Sequence, residues 1–198
     1  MEEVKKWPVT AGLAALNAAM YFVITLTGRP EDTMHMIRLG AAYTPYILEG
    51  EWYRLLTAMF LHFGFTHLAN NMLVLAVLGT RLEGLVGHVR LALIYLLGGI
   101  GGNLVSMWME CRSGSFAVSA GASGADFALT GAMLWLALRN RGRAGDLTTR
   151  QVLIMAALSL YLGFAGSGVN NAAHIGGLIC GFVLTMVLCP HAATGRSA

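Results

Sequence analysis

The chain has 198 residues, of which 56% are hydrophobic and only 12% are charged, and its mean hydropathy is +0.63. This balance excludes an ordinary soluble domain and indicates a membrane protein. The formal net charge of +3 is small and does not point to a nucleic-acid partner.

Windows of about 19 residues predict apolar spans along the whole chain. The predicted spans are Val9–Leu26, Leu55–Leu78, Leu91–Met109, Phe116–Leu138, Val152–Gly166 and Asn171–Leu188. We therefore expect an all-α, six-transmembrane-helix bundle in which residues 1–198 form one domain, with short tails at residues 1–8 and 190–198. The fifth span is short, at about 15 residues, which local thinning of the bilayer or a buried helix end would accommodate.

The distribution of basic residues predicts the orientation, because Lys and Arg resist translocation. With the N-terminus inside, the cytoplasmic side holds Lys5, Lys6, Arg81, Arg90, Arg139, Arg141, Arg143, Arg150 and Arg196. Both termini are thus expected to be cytoplasmic, and the first span is expected to be a retained signal anchor. The basic segment Arg139–Arg150 is interpreted as a positive-inside loop rather than as a nucleic-acid site.

The connection of about 27 to 54 is too apolar for a solvated linker. Pro30, Gly40, Pro45 and Gly50 prevent it from forming one long helix. We expect an interfacial loop that lies beside the bundle between the first two spans.

Metal and disulfide chemistry have little support in the sequence. Cys111, Cys180 and Cys189 form no disulfide framework, and the HExxH signature of zinc peptidases is absent. A haem or metal site would use His62, His67 and His174. His62 and His67 are five residues apart, which separates them by about 140° around a helix, so paired ligation is disfavoured. No metal, nucleotide or other cofactor is expected.

Two short polar elements interrupt the apolar spans, Ser123 within Gly-Ala-Ser-Gly-Ala and His174 after Asn-Asn-Ala-Ala. With a rise of about 1.5 Å per residue, Ser123 lies about 22 Å and His174 about 21 Å from the cytoplasmic end of its span. By the same count His67 lies at about 18 Å and Asn71 at about 12 Å. Four polar groups from three spans are therefore expected in the outer half of the membrane.

These residue types at one depth indicate nucleophilic catalysis, although a single intramembrane Ser often bonds only its own helix. His174 can take the Ser123 proton during attack on a carbonyl. His67 and Asn71, four residues apart on one helix face, can donate to the resulting oxyanion together with the Ser123 N–H. Asp126 is an acid where an apolar residue is expected. A protonated or hydrogen-bonded structural role and a third catalytic role both remain open.

The chain resembles the rhomboid intramembrane serine proteases over nearly its whole length. The resemblance rests on the six spans, on His67-Leu68-Ala69-Asn70-Asn71 in span two, on GASGA in span four, and on AlaHis followed by Gly177 and Gly181 in span six. It implies a Ser123–His174 dyad without an acidic member and an oxyanion hole of His67, Asn71 and the Ser123 N–H. It also implies that Gly121 belongs to the site and that Phe127 supports the imidazole.

The same resemblance carries further expectations. Trp52-Tyr53-Arg54 looks like the family's WR-containing loop, and residues 163–170 look like the cap over its site. Substrates would be transmembrane segments of other proteins, cut after a small residue near a helix-weakening sequence. The protein is expected to be embedded in a lipid bilayer, and the expected location is the inner membrane of a prokaryote. A rhomboid-fold pseudoprotease that binds transmembrane helices is the alternative. The oligomeric state is left open.

Overall fold

A computed structural model of the chain describes residues 6–165 and 169–190. The N-terminal part of the chain contains α1 Pro8–Thr27, α2 Thr33–Arg38, α3 Thr44–Leu48, α4 Arg54–Thr57, a 3₁₀ turn Ala58–Phe60, α5 Phe65–Val74, a π-helical turn Leu75–Gly79 and α6 Thr80–Val86. The remainder contains α7 His88–Ser113, α8 Ser123–Arg139, the strands β1 Arg143–Ala144 and β2 Leu147–Thr148, α9 Thr149–Ala165 and α10 Asn171–Leu188.

The fourth predicted span is shorter than its hydropathy suggests. The prediction began it at Phe116, but α8 begins at Ser123. Residues 116–122 do not form a helix, and Ser119 pairs in antiparallel fashion with Ala42 of the outer connection. Hydropathy measures how apolar a segment is and not its backbone conformation. It therefore could not separate this apolar extended segment from the helix that follows.

The second predicted span is broken near its N-terminal end. The segments Arg54–Phe60 and Phe65–Val86 meet at an angle of 95°. Gly64 adopts φ +115° at the break, a conformation in the left-handed region that favours glycine. The continuous prediction Leu55–Leu78 was therefore wrong here, and His62 lies in the turn rather than on the helix that carries His67.

The connection between α1 and α5 is folded against the bundle. It contains three short helices, and its side chains Met36 and Ala41 are buried against Ile24 of α1 and Leu61 of the turn. Arg54 is 4% exposed and donates hydrogen bonds to the carbonyl oxygens of Ile37 and Ala41 at 2.6 and 3.0 Å. A buried guanidinium that satisfies backbone carbonyls ties this loop to the start of the second span.

Helix α8 forms the centre of the bundle and is enclosed by α7 and α10. Glycines allow the close approach, because Gly177 and Gly181 of α10 lie directly against the backbone of Gly124 and Ala128. A Cβ at position 177 would lie 2.0 Å from the Gly124 carbonyl oxygen. Small residues are the usual means by which membrane helices come close together.

Gly177→Ala is expected to lower the thermal unfolding midpoint and reduce activity, because the new methyl group would push α10 away from α8. Overpacking of this kind costs about 1–3 kcal/mol, and here it displaces the helix that carries His174. Gly12→Ala is the matched control, since nothing lies within 4 Å of a Cβ at that position. A Gly177→Ala protein as stable as Gly12→Ala would contradict the close packing.

Several helices are suited to crossing a membrane. Within the described residues, α1, α7 and α10 are long and apolar enough to cross it, and the bent pair ending at Val86 makes a fourth. Helices α8 and α9 have 17 residues each. The chain is therefore a mostly helical integral membrane protein.

Candidate active site

Ser123 is the first residue of α8, at the end of the extended segment. The Gly121 N–H donates to the Ala58 carbonyl oxygen at 2.9 Å, which fixes the chain just before the serine. Gly121 adopts φ +142°, and a Cβ there would lie 2.8 Å from the His67 ring and 3.5 Å from Asn71 Nδ2. Only glycine avoids both this steric clash and the backbone strain.

His174 lies in the first turn of α10 and faces Ser123. Its Nε2 is 2.9 Å from the Ser123 Oγ, within hydrogen-bond distance, and the residue is 6% exposed. The Asn170 side-chain oxygen accepts the Ala173 N–H at 3.0 Å and so caps this helix just before the histidine. Two helices whose starts are both fixed by hydrogen bonds therefore bring a hydroxyl and an imidazole together.

Asn71 and His67 lie on α5 next to the same serine. Asn71 is 7% exposed, and its Nδ2 lies 3.0 Å from His62 Nε2. An amide nitrogen has two N–H groups, so one can serve His62 while the other is available to a substrate. His67 and Asn71 lie against Gly121, two residues before Ser123, and the Ser123 hydroxyl contacts His174. The four polar groups predicted in the outer half of the membrane thus lie near the start of α8.

His62 is a site residue that the sequence reasoning did not assign. It is fully buried, its Nε2 is also 3.4 Å from the Ala122 N–H, and its ring meets that of His67 edge-on with centroids 5.1 Å apart. His62 and His67 do not diverge as on one helix, contrary to the prediction, because the turn at Gly64 folds His62 back. The available signal in the sequence was His62 two positions before Gly64, a residue type that often ends or breaks a helix.

No group of three or more His, Cys, Asp or Glu residues suited to a metal ion occurs in the part of the chain that the structure describes. The cap expected over residues 163–170 includes residues 166–168, which lie outside the described residues.

Phe127 lies one helical turn after Ser123 and stacks on the His174 ring. The ring centroids are 4.4 Å apart and the planes differ by 19°. Stacked aromatic pairs contribute about 0.5–1.5 kcal/mol beyond their burial. The contact restricts the rotation of the imidazole about its own axis.

Phe127→Leu is expected to lower kcat by up to about tenfold with little change in KM, because leucine fills the space but does not fix the ring plane. Phe182→Leu is the control, since Phe182 of α10 packs edge-on against Trp135 and does not touch His174. Steady-state kinetics on a peptide substrate measure both constants. An effect confined to KM would assign Phe127 to substrate binding instead.

Asp126 is buried at 3% exposure, as expected, but it is not hydrogen-bonded. Among the described residues neither of its carboxyl oxygens has a hydrogen-bond partner, and neither has His174 Nδ1. The expectation was a protonated or a hydrogen-bonded structural role, and the described residues offer no partner for the hydrogen-bonded form. The geometry also does not join Asp126 to the imidazole as the acid of a triad would be joined.

Asp126→Asn is expected to retain activity within about tenfold, which corresponds to about 1.4 kcal/mol of transition-state stabilisation. The amide has the shape of the carboxyl group, and no hydrogen-bond partner is lost. The measurement is kcat/KM of the purified variant. A loss near 10⁴-fold would mean that Asp126 orients His174, as the acid of a soluble triad does.

The outer connection is held near the site by an acid. Glu51 accepts hydrogen bonds from the Tyr53 hydroxyl at 2.8 Å and from Arg54 Nε at 2.6 Å, and these bonds hold the pKa of Glu51 below its ordinary value. The Thr57 hydroxyl donates to the Gly40 carbonyl oxygen at 2.7 Å. The Trp52-Tyr53-Arg54 segment thus fastens the connection to the bundle through its arginine.

The chain is similar in sequence to proteins of one family. The model of the rhomboid domain family matches residues 49–191, which include every site residue named above. Over 174 residues the chain is 40% identical to "Rhomboid protease GluP" of Bacillus subtilis (strain 168), covering 88% of this chain and 33% of that protein. It is 41% identical to "RHOMBOID-like protein 5" of Arabidopsis thaliana, covering 76% of this chain and 48% of that protein.

A further bacterial relative is covered over most of its length. The chain is 32% identical to "Rhomboid protease AarA" of Providencia stuartii, over 92% of this chain and 74% of that protein. It spans only about a third and about half, respectively, of the first two relatives. Because the family model matches more than half of the chain, the chain belongs to the rhomboid family.

Proposed function

We propose that the protein is an intramembrane serine endopeptidase that hydrolyses peptide bonds in or near transmembrane segments of other membrane proteins. The observation that carries the proposal is the 2.9 Å distance between Ser123 Oγ and His174 Nε2. It is supported by the rhomboid family model and by relatives whose names describe them as rhomboid proteases.

In the first half of the reaction, Ser123 Oγ attacks the carbonyl carbon of the scissile bond and its proton passes to His174 Nε2. This step needs the neutral tautomer of His174 that carries its proton on Nδ1. The negative charge moves to the carbonyl oxygen, which the Ser123 N–H, the free Asn71 N–H and the His67 ring would stabilise. The tetrahedral intermediate then collapses, the C–N bond breaks, and His174 returns the proton to the leaving nitrogen.

In the second half, water attacks the resulting ester carbonyl while His174 takes a proton from it. The Ser123 oxygen leaves and recovers that proton, so the enzyme returns to its starting state. Gly121 allows His67 to lie close to the serine, and Phe127 keeps the imidazole oriented. The balance of the cycle requires only water and the peptide.

The setting of this activity is proposed with it. Residues 1–198 would form one six-span domain with short tails at 1–8 and 190–198, both termini in the cytoplasm and the site near the outer surface. Substrates would be transmembrane proteins with a small residue before the cleaved bond, in a bilayer and without a cofactor or a nucleic-acid partner. A prokaryotic inner membrane is the proposed location, although one of the relatives named above is from a plant.

The test is incubation of the purified protein in a lipid bilayer with a model transmembrane substrate, followed by mass determination of the two products. A single cut within or next to the apolar segment is the expected result. Binding of the substrate without any cleavage would favour the alternative, a pseudoprotease that holds transmembrane helices.

A further inference from the structure

A short hairpin joins α8 to α9 at the end of the bundle opposite Ser123. Since α8 runs from Ser123 to Arg139, its two ends are about 24 Å apart. The hairpin consists of β1 and β2, with Arg143 paired to Thr148 and Ala144 paired to Leu147. Ala144 is fully buried while Arg143 is exposed, so the hairpin is docked with one face against the bundle.

An ion pair holds the hairpin in place. Arg81 of α6 donates from Nε and Nη2 to the Asp146 carboxylate at 2.9 Å each, and its Nη1 donates to the Val77 carbonyl oxygen. The hydrogen bonds from Arg81 hold the pKa of Asp146 below its ordinary value. This acid therefore stays charged at neutral pH and remains paired with Arg81. Asp146 is the only acidic residue between 139 and 150.

Four arginines of the same segment carry uncompensated charge. They are Arg139, Arg141, Arg143 and Arg150, all exposed. None of their side chains makes a salt bridge or hydrogen bond to another residue in the described ranges 6–165 and 169–190. The acid that could have neutralised them is engaged by Arg81 from a different helix.

The depth of these arginines is indicated by their apolar neighbours. Arg150 is followed by exposed Leu153 and Ile154, which lie on the same face of α9 at spacings of three and four residues. Exposed Leu138 precedes Arg139 at the end of α8. In an integral membrane protein such side chains face lipid. Arg139 and Arg150 therefore lie where hydrocarbon gives way to phospholipid head groups.

We propose that the segment Arg139–Arg150, which contains the hairpin and the adjoining helix ends, binds the head group of an anionic phospholipid. A guanidinium presents paired N–H donors that match phosphate oxygens, and basic residues near an anionic surface attract it strongly. The positive-inside rule needs only the number of charges, whereas here four arginines without a salt-bridge partner among the described residues lie on a docked hairpin and on the helix ends beside it. The role is separate from the active site at the other end of α8.

The test compares lipid binding by the purified full-length protein reconstituted in phosphatidylcholine bilayers. Spin-labelled phosphatidylglycerol and spin-labelled phosphatidylcholine are added separately, and the motionally restricted fraction gives the relative association constant. The wild-type protein is expected to prefer phosphatidylglycerol by at least about fivefold, the factor that one well-placed basic residue supplies. The variant with all four arginines changed to Gln should bind both lipids equally within about twofold.

Two further variants separate charge from fold. Arg29→Gln, Arg38→Gln and Arg112→Gln together remove exposed arginines outside the hairpin and should keep the wild-type preference. The variant with the same four arginines changed to Lys keeps the charge but loses the paired N–H donors, so its preference should lie between those of the wild-type protein and the Gln variant. Inorganic phosphate, added against chloride at equal ionic strength, should not displace the lipid.

Four results would overturn the assignment. They are a wild-type protein without preference, a Gln variant that keeps it, an equal loss in the control or Lys variant, and displacement by inorganic phosphate. None of these readings depends on peptide hydrolysis.

Discussion

Ser123→Ala and His174→Ala are each expected to reduce kcat by about 10⁵–10⁶-fold, to a rate at which no cleaved product accumulates. The first variant removes the only proposed nucleophile, and the second removes the base 2.9 Å from it. Because the two groups act as a unit, the double variant should be no slower than either single variant. The assay is product formation from a model transmembrane substrate, quantified by mass spectrometry.

Ser159→Ala is the matched control for the serine, because Ser159 is an exposed residue of α9. It should cleave at the wild-type rate. A fluorophosphonate gives a second readout, since the Ser123 oxygen forms a bond to phosphorus as fluoride leaves. The adduct should map to Ser123 in the wild-type protein and be absent from Ser123→Ala. Turnover close to wild type by either site variant would remove the dyad from the mechanism.

Asn71→Ala is expected to lower kcat by about 10²–10³-fold while KM stays nearly unchanged. The Asn71 amide lies 3.0 Å from His62 and has a second N–H free for the oxyanion, which exists only after the nucleophile has attacked. Interactions made only in the transition state change kcat and not substrate binding. The measurement is steady-state kinetics at several substrate densities in the bilayer.

The contact with His62 offers a different explanation for such a loss, which a double-mutant cycle can separate. If Asn71 acted only by holding His62, then His62→Gln would lower kcat as much as Asn71→Ala does. The double variant would then lower kcat no further. Direct stabilisation of the oxyanion predicts that Asn71→Ala is the more damaging change. Thermal unfolding of each variant, with substrate absent, shows whether the buried pair also supports the fold.

The residues of the candidate site were accessible from the sequence because each lies in a short local pattern. The depth of Ser123 and His174 follows from counting along helices of constant rise, and Asn71 lies four residues from His67 on one face. The membrane class follows from hydropathy alone. Family membership, shown by the match over residues 49–191, agrees with the resemblance carried by those patterns.

Other features depend on packing between distant segments. The folding of His62 onto Asn71 and the pairing of the extended segment before Ser123 with Ala42 both involve residues from separate segments. The same holds for the surroundings of Asp126, whose carboxyl oxygens have no hydrogen-bond partner among the described residues. Hydropathy could not predict them, because it reports how apolar a segment is and not its conformation or its neighbours.

By itself, then, the sequence determined the membrane class, the resemblance to a family and the identity of the candidate nucleophile and base, since hydropathy and helical rise are local properties. Only the tertiary structure decided that Ser123 and His174 meet at 2.9 Å and that Arg81 docks the arginine hairpin. Such distances join residues far apart in the chain. They depend on how closely glycines let the helices approach, which no local pattern specifies.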